Sequence, residues 1–282
     1  MAVKALAERK PASVVIRPSR GWTFPDLAEL WRHRELLYFL IWRDIKVRYK
    51  QTVVGGAWVI LQPLLMMLIF TLIFGQTLRP SSSDTPYPLL VVSAVLPWQL
   101  FSRGLTEAAT SLVLNERLIT KVYFPRVFVP ASVVLAGLLD LGIASLLLVV
   151  LMAIYGVVPT AAVAALPVFI LLAVMAAMAV GLWLSALDVQ YRDVRHTIPV
   201  LTMLWFFATP IFYASSLVPD RWRLWYALNP MVGVVEGFRW SLLDHQGLEP
   251  GMIAVSASAA AFLFLGAVAY FHHTERSIAD VI

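Results

Sequence analysis

Six stretches of this chain are long and apolar enough to be read as membrane-crossing helices, and no other feature restricts its fold as strongly. A hydrocarbon layer roughly 30 Å thick is spanned by about 20 helical residues. The candidate spans are Val53–Leu78, Leu89–Leu112, Val127–Tyr155, Ala162–Leu187, Ile198–Ala214 and Met252–Phe271. The fifth is the shortest and contains Pro210, which predicts a kink or an incomplete crossing. Of the 282 residues, 60% are hydrophobic and only 14% charged, a balance outside the range of soluble domains. Lipid admits only helices and closed barrels, and the alternating pattern of a barrel is absent. The expected fold class is therefore an all-α integral membrane protein with six transmembrane helices.

The basic residues set the orientation. With both termini on one side, that side receives eleven Lys and Arg before Val53, three in Asn115–Arg126, two in Asp188–Thr197 and one after Phe271. The other side receives only Arg79, Arg221, Arg223 and Arg239. Both termini are expected in the cytoplasm. The net charge of +5 then reflects topology and contact with anionic lipid, so nucleic acid is not an expected partner. The first 20 residues lack an apolar core of signal-peptide length and read as a flexible aqueous tail.

Between that tail and the first span, Phe24–Gln51 places Leu27, Leu30, Trp31, Leu37, Ile41 and Ile45 at helical spacing among many charges. Pro25, Asp26 and Glu29 suit a helix start. An amphipathic helix lying in the cytoplasmic interface is expected. The Trp-rich segment Ser215–Pro250, broken at Asn229-Pro230, is too short in each half to cross. It reads equally well as two short helices that dip in and return, or as two that lie flat at the interface.

Much chemistry is missing. No GxxxxGK[ST] phosphate loop, HExxH, CxxC or GxSxG occurs, and there is no cysteine. No metal site is expected, since the His272-His273 pair follows the last span and the other histidines are scattered. Three ionisable groups do lie within spans, where charge is costly and usually functional. Arg103 and Glu107 share a face of the second span, and Asp140 lies in the third. Helical rise puts Arg103 roughly 13 Å and Asp140 roughly 20 Å from the cytoplasmic ends of their spans, a difference an Arg side chain can cover. An Arg103–Asp140 or Arg103–Glu107 pair is expected, fixing helix register or lining a polar cavity.

Five stretches in order resemble the permease subunit of bacterial polysaccharide-exporting ABC transporters. They are RDIKVRYKQTVVGGAWVILQPLLMMLIFTLIFG from Arg43, LPWQLFSRGL from Leu96, LITKVYFPRVFVP from Leu118, LDVQYRDVRHTIP from Leu187, and TPIFYASSLVP from Thr209 followed by LNPM. The resemblance implies a homodimer of six-span subunits joined to two copies of a cytoplasmic ATP-binding subunit, with ATP and Mg held by that partner and no cofactor here. It implies a cytoplasmic tail and interface helix over residues 1–52, a permease domain over 53–282, and re-entrant helices between spans five and six. It places the chain in the bacterial inner membrane, with a polyprenyl-linked glycan as substrate, O-antigen first, and capsule or teichoic-acid precursors as alternatives.

The resemblance also gives the loop after the second span a coupling helix that sits on the ATPase. Asn115 would cap it, Glu116, Arg117 and Lys121 would make ionic contacts, and Leu118 and Ile119 would be apolar knobs. Without the resemblance, the same charges read as an ordinary basic loop. Tyr191, Arg192 and Asp193 form a second candidate contact with that partner. A hydrated glycan needs a conduit between two subunits, with a wall from the first and fifth spans and aromatic faces from Trp58, Trp205, Phe206, Phe207, Phe212 and Tyr213. At least half of these six are expected to be ordinary packing instead. Arg43, Lys46, Arg48 and Lys50 suit a diphosphate headgroup, and equally suit anionic lipid. Rival readings are a membrane glycan polymerase or ligase using Glu236, Arg239, Asp244 and His245, a proton-driven transporter using Asp140 and Glu107, and an exporter of drugs or small lipids.

Overall fold

The computed structural model describes residues 27–50, 55–77, 85–191, 193–243 and 249–281, with side chains described as far as 275. The expected tail, the outer ends of the first span, Arg79, Arg192, Asp244 and His245 lie outside the described residues. Within them the chain is helical and contains no strand. Helices α1 (Leu27–Arg32) and α2 (Arg34–Lys50) precede the long helices. These are α3 (Gly55–Phe74), α4 (Tyr87–Leu114), α6 (Phe128–Tyr155), α7 (Leu166–Gln190) and α11 (Pro250–Val281). Shorter elements are α5 (Glu116–Lys121), α8 (Val194–Phe207), α9 (Asp220–Tyr226) and α10 (Pro230–Leu243). Among the described residues, five helices are long and apolar enough to cross a membrane: Gly56–Phe74, Tyr87–Leu114, Phe128–Tyr155, the run Ala161–Gln190 that includes the turn before α7, and Pro250–Glu275.

The interface helix expected as one element is two, because the chain breaks at His33. Its ring Nδ1 lies 2.9 Å from the carbonyl of Glu29. α1 buries nothing and α2 buries only Leu40, leaving Tyr38, Phe39 and Trp42 exposed. α2 packs along α6.

α4 is the central pillar, flanked by α6 and α7. It meets α7 through small residues: Gly104 faces Ala177, and a Cβ added at Gly181 would stand 2.8 Å from that of Ala108. Gly104-x3-Ala108 on one helix and Ala177-x3-Gly181 on the other let the backbones close without a hydrophobic drive from water. Gly156, in the left-handed region at φ 69°, ends α6.

The fifth candidate span departs from a continuous helix. α8 has 14 residues, only about 21 Å of rise, and stops at Phe207 ahead of Pro210. Residues 208–214 carry on without helix, yet Thr209, Pro210 and Ile211 are buried. Irregular backbone at membrane depth is tolerable only when protein surrounds it. The α9–α10 pair separates the two alternatives for the Trp-rich segment. α9 buries no residue, whereas most of α10 is buried against α4, α7 and α11.

Candidate conduit face and coupling segment

Along α4, Gln99, Ser102, Arg103, Thr106, Glu107 and Thr110 recur every three or four residues, and each is half-buried. The residues between them, Leu100, Phe101, Gly104, Leu105, Ala108 and Ala109, are all buried. From Gln99 to Thr110 the helix therefore has one polar, partly open stripe and is otherwise sealed. Thr106 and Thr110 turn their hydroxyls back to carbonyls of their own helix, which satisfies them locally. The charged pair cannot be satisfied that way.

Arg103 Nη1 donates to Asp140 Oδ2 at 2.9 Å, and its Nε stands 3.9 Å from Glu107 Oε1. Two further donors come from α2. Arg48 divides its guanidinium between Asp140 and Glu107, and the Tyr49 hydroxyl donates to the other oxygen of Asp140. Two Arg face two carboxylates, so the cluster is neutral as a whole. Asp140 is buried, while the side chains of Arg103 and Glu107 are 35% and 39% exposed. Arg48, Arg103 and Asp140 line a narrow crevice with Gln62, Gln99 and Gly137, with room for little more than a water molecule. The Gln99 amide nitrogen there is buried without a protein partner.

Arg48 and Tyr49 joined this network unannounced by the sequence, because a count along α2 places them in the interface rather than beside the third span. Of the four headgroup candidates, two are thus committed elsewhere. Arg48 is held by the cluster, and Arg43 forks onto Asp44, which also accepts from Ser132 at 2.7 Å. Lys46, above the Trp42 ring at 5.2 Å, and Lys50 keep exposed side chains.

The coupling segment differs from the expected arrangement. Asn115 occupies the N-cap position of α5, where its carbonyl accepts from the Leu118 and Ile119 amides, but its side chain does not cap; the side-chain amide donates back to Ser111 O at 2.8 Å and closes the end of α4. Ile119 is buried and Leu118 half-buried, packed toward Leu40, Leu112, Phe124 and Phe128. They are anchors rather than knobs. The exposed apolar side chains are Leu114, Val122 and Tyr123, beside exposed Glu116, Arg117 and Lys121. These three flank the short helix instead of lying on it, so the pattern of α5 in the sequence does not point to them.

The segment is tied to both ends of the fold. The Arg126 amide donates to Glu275 at 2.8 Å, and its guanidinium reaches the Glu275 carbonyl. Partial burial, then the carboxylates of Glu29 and Glu275, hold the Tyr123 hydroxyl above its ordinary pKa, with Arg126 opposing them. In the second loop, Tyr191 and Asp193 are exposed. Arg195 forks onto buried Asp188 at 3.2 and 3.1 Å, pinning α8 to the end of α7.

Most of the six aromatic candidates interlock rather than face a void. Phe212 stacks on Phe70 with centroids 5.2 Å apart, and on Phe74 and Phe206. Trp205 meets Phe101 edge-on and donates to Asn229. The Tyr213 hydroxyl bonds that of Tyr226. Trp58 and Phe207, each 53% exposed, present open faces. Among the described residues no cluster of His, Asp or Glu has the form of a metal site.

A family model described as ABC-2 type transporter matches residues 35–243. An O-antigen export system permease protein RfbA of Myxococcus xanthus is 32% identical over 256 residues, 90% of this chain and 98% of that protein. A protein of the same name from Klebsiella pneumoniae is 29% identical over 88% of this chain and 95% of its own length. The polysialic acid transport protein KpsM of Escherichia coli is 22% identical, covering 78% and 83% respectively.

Proposed function

The chain belongs to the ABC-2 type transporter family, and from that premise we propose that it forms the conduit of an exporter for a lipid-linked polysaccharide, O-antigen being the substrate class. It is the permease subunit, and the ATP-hydrolysing machinery, with its Mg, sits in a separate ATP-binding partner. The conduit lies between two copies of the chain in the bacterial inner membrane, with both termini in the cytoplasm. In this arrangement α8 and residues 208–214 together make the fifth of six crossings, and α9–α10 lie at the outer face.

The polar stripe of α4 is the observation that carries this reading. A half-exposed Arg103–Glu107 face directed at lipid would be strongly unfavourable. Turned toward water and a second copy, it becomes a hydrated surface fit for sugar hydroxyls. α3 and α8 stand beside it, joined through Phe70, Phe206 and Phe212, and present Trp58 and Phe207. The partner docks on Leu114, Glu116, Arg117, Lys121, Val122 and Tyr123, with Tyr191 to Asp193 as a secondary contact. Closure of the ATP-binding subunits then moves α4 and α6 directly. Lys46 and Lys50 on α2 are placed to meet the diphosphate of the carrier lipid.

The test is reconstitution. The chain and its ATP-binding partner in vesicles should hydrolyse ATP faster than the partner alone and carry polyprenyl-linked glycan across. Transport by the purified chain without nucleotide or partner would sink the proposal, and would favour a proton-driven carrier.

A further inference from the structure

The carbonyls of the non-helical run after α8 have lost their helical partners, and side chains from elsewhere replace them. Arg239 of α10 reaches Ile211 O at 3.0 Å and Tyr213 O at 3.2 Å, with Leu90 O of α4 at 3.4 Å. Tyr87, the first residue of α4, donates to Phe212 O at 2.7 Å. Asn229, just before α10, donates to Ala208 O at 3.0 Å, and its side-chain oxygen accepts from Trp205 and from the Met231 amide. Arg239 is 2% exposed, and its charge is met by Glu236 at 3.0 Å. With every nitrogen of the fork engaged, Arg239 is unavailable to a substrate, which removes the enzymatic role considered for it.

We propose that Arg239 is a positioning residue for transport. Its fork holds residues 208–213 as a fixed break in the fifth crossing, and so sets where Phe207 and the Phe212–Tyr213 pair stand at the end of the bundle remote from α5. A helix here would carry those rings around its own axis, while the clamped break hands their placement to α10. Only a planar guanidinium can serve three carbonyls on two segments and a carboxylate at once; a lysine ammonium cannot keep that geometry. Since α4 separates this end from the coupling segment by about 42 Å of helix, loss of the clamp should spare the ATPase end. The inference rests on the transport reading above.

The chain has no cysteine, so Ile211→Cys supplies a single thiol at a position that is fully buried. It is probed with a membrane-impermeant maleimide in the complex with the ATP-binding partner, with and without Arg239→Gln. Loss of the fork should raise labelling about tenfold and lower export about tenfold, the scale of one charge-assisted hydrogen bond. ATP hydrolysis and co-purification of the partner should stay within about twofold, whereas general misfolding would lower all of them together. Arg239→Lys should not restore export. Wild-type export with a protected thiol in Arg239→Gln, or full rescue by Arg239→Lys, overturns the proposal. If Arg239→Gln does not accumulate, Tyr87→Phe decides in its place, with raised labelling in support and unchanged labelling and export against. If the wild-type complex moves no glycan, the transport reading fails, and the labelling still decides whether the clamp exists.

Discussion

Arg103 on α4 donates to Asp140 on α6 across 2.9 Å, and Asp140 is at the same time the acceptor for Arg48 and Tyr49 of α2. One buried carboxylate therefore ties three helices together at the level where the polar stripe begins. Asp140→Ala leaves two guanidiniums and a phenol facing a void. Breaking a buried ion pair from one side costs about 3–5 kcal/mol, so this variant should fail to accumulate in membranes. Glu107→Ala, at a half-exposed position, should accumulate at close to the normal level and lose export instead. Membrane yield by immunoblot, set against export, separates the two. Exchanging the charges with Arg103→Asp and Asp140→Arg together should not rescue, because the new arginine would face Arg48.

Replacing Gly181 tests the central packing. Gly181→Leu forces a side chain against Ala108, where even a Cβ has only 2.8 Å. Overpacking of a well-filled core costs about 1–3 kcal/mol, and here it also parts α4 from α7. The expected result is a lower thermal-aggregation midpoint in detergent. Gly142→Leu, where an added Cβ meets nothing within 4 Å, should leave the midpoint unchanged.

The long apolar runs made the helices of α3, α4, α6, α7 and α11 legible, because burial in lipid and helical hydrogen bonding leave such runs little choice. Span five was only half legible. Pro210 marks a break, but what makes a break tolerable is Arg239, Asn229 and Tyr87, which lie 29, 19 and 123 residues away in sequence. Helical spacing could have found the stripe from Gln99 to Thr110, since six polar residues three and four apart in an apolar helix are a periodic signal. It could not have found Arg48, whose place beside Asp140 depends on α2 lying along α6. Nor does spacing say which face of α5 turns inward, and so Ile119 looked like a knob and is an anchor.

That inversion gives a separation of effects at the coupling segment. Leu114→Ser, Val122→Ser and Tyr123→Ser alter exposed side chains, so the fold should be kept while affinity for the ATP-binding subunit falls. A contact residue worth about 1.4 kcal/mol gives a tenfold loss. Ile119→Ala should do the reverse. Truncating a buried isoleucine costs about 2–5 kcal/mol, so membrane yield should drop before affinity does. Titration of the purified chain with the partner, alongside yield, reads both. Weakened binding by Ile119→Ala at normal yield, with none from the three serine variants, would restore the knob assignment.

The aromatic residues divide in the same manner. Phe212 packs on four other phenylalanines and Trp205 on Phe101, whereas Trp58 and Phe207 are half open. Each aromatic pair adds about 0.5–1.5 kcal/mol to the area its rings bury, so Phe212→Ala and Trp205→Ala should lower the thermal-aggregation midpoint and reduce export only through lost protein. Trp58→Ala and Phe207→Ala remove faces with room for a sugar ring, and Phe207 also gives up edge contacts with Phe206 and Phe212. Trp58→Ala should keep the midpoint within a degree or two, as surface truncations usually do; Phe207→Ala should lower it less than Phe212→Ala does, and both should slow export per molecule of complex. Because a pyranose lies on a π surface through its CH face, Phe207→Tyr should retain the export that Phe207→Ala loses. Equal export by all four alanine variants, once corrected for protein present, would mean that the wall is made by the polar stripe of α4 alone.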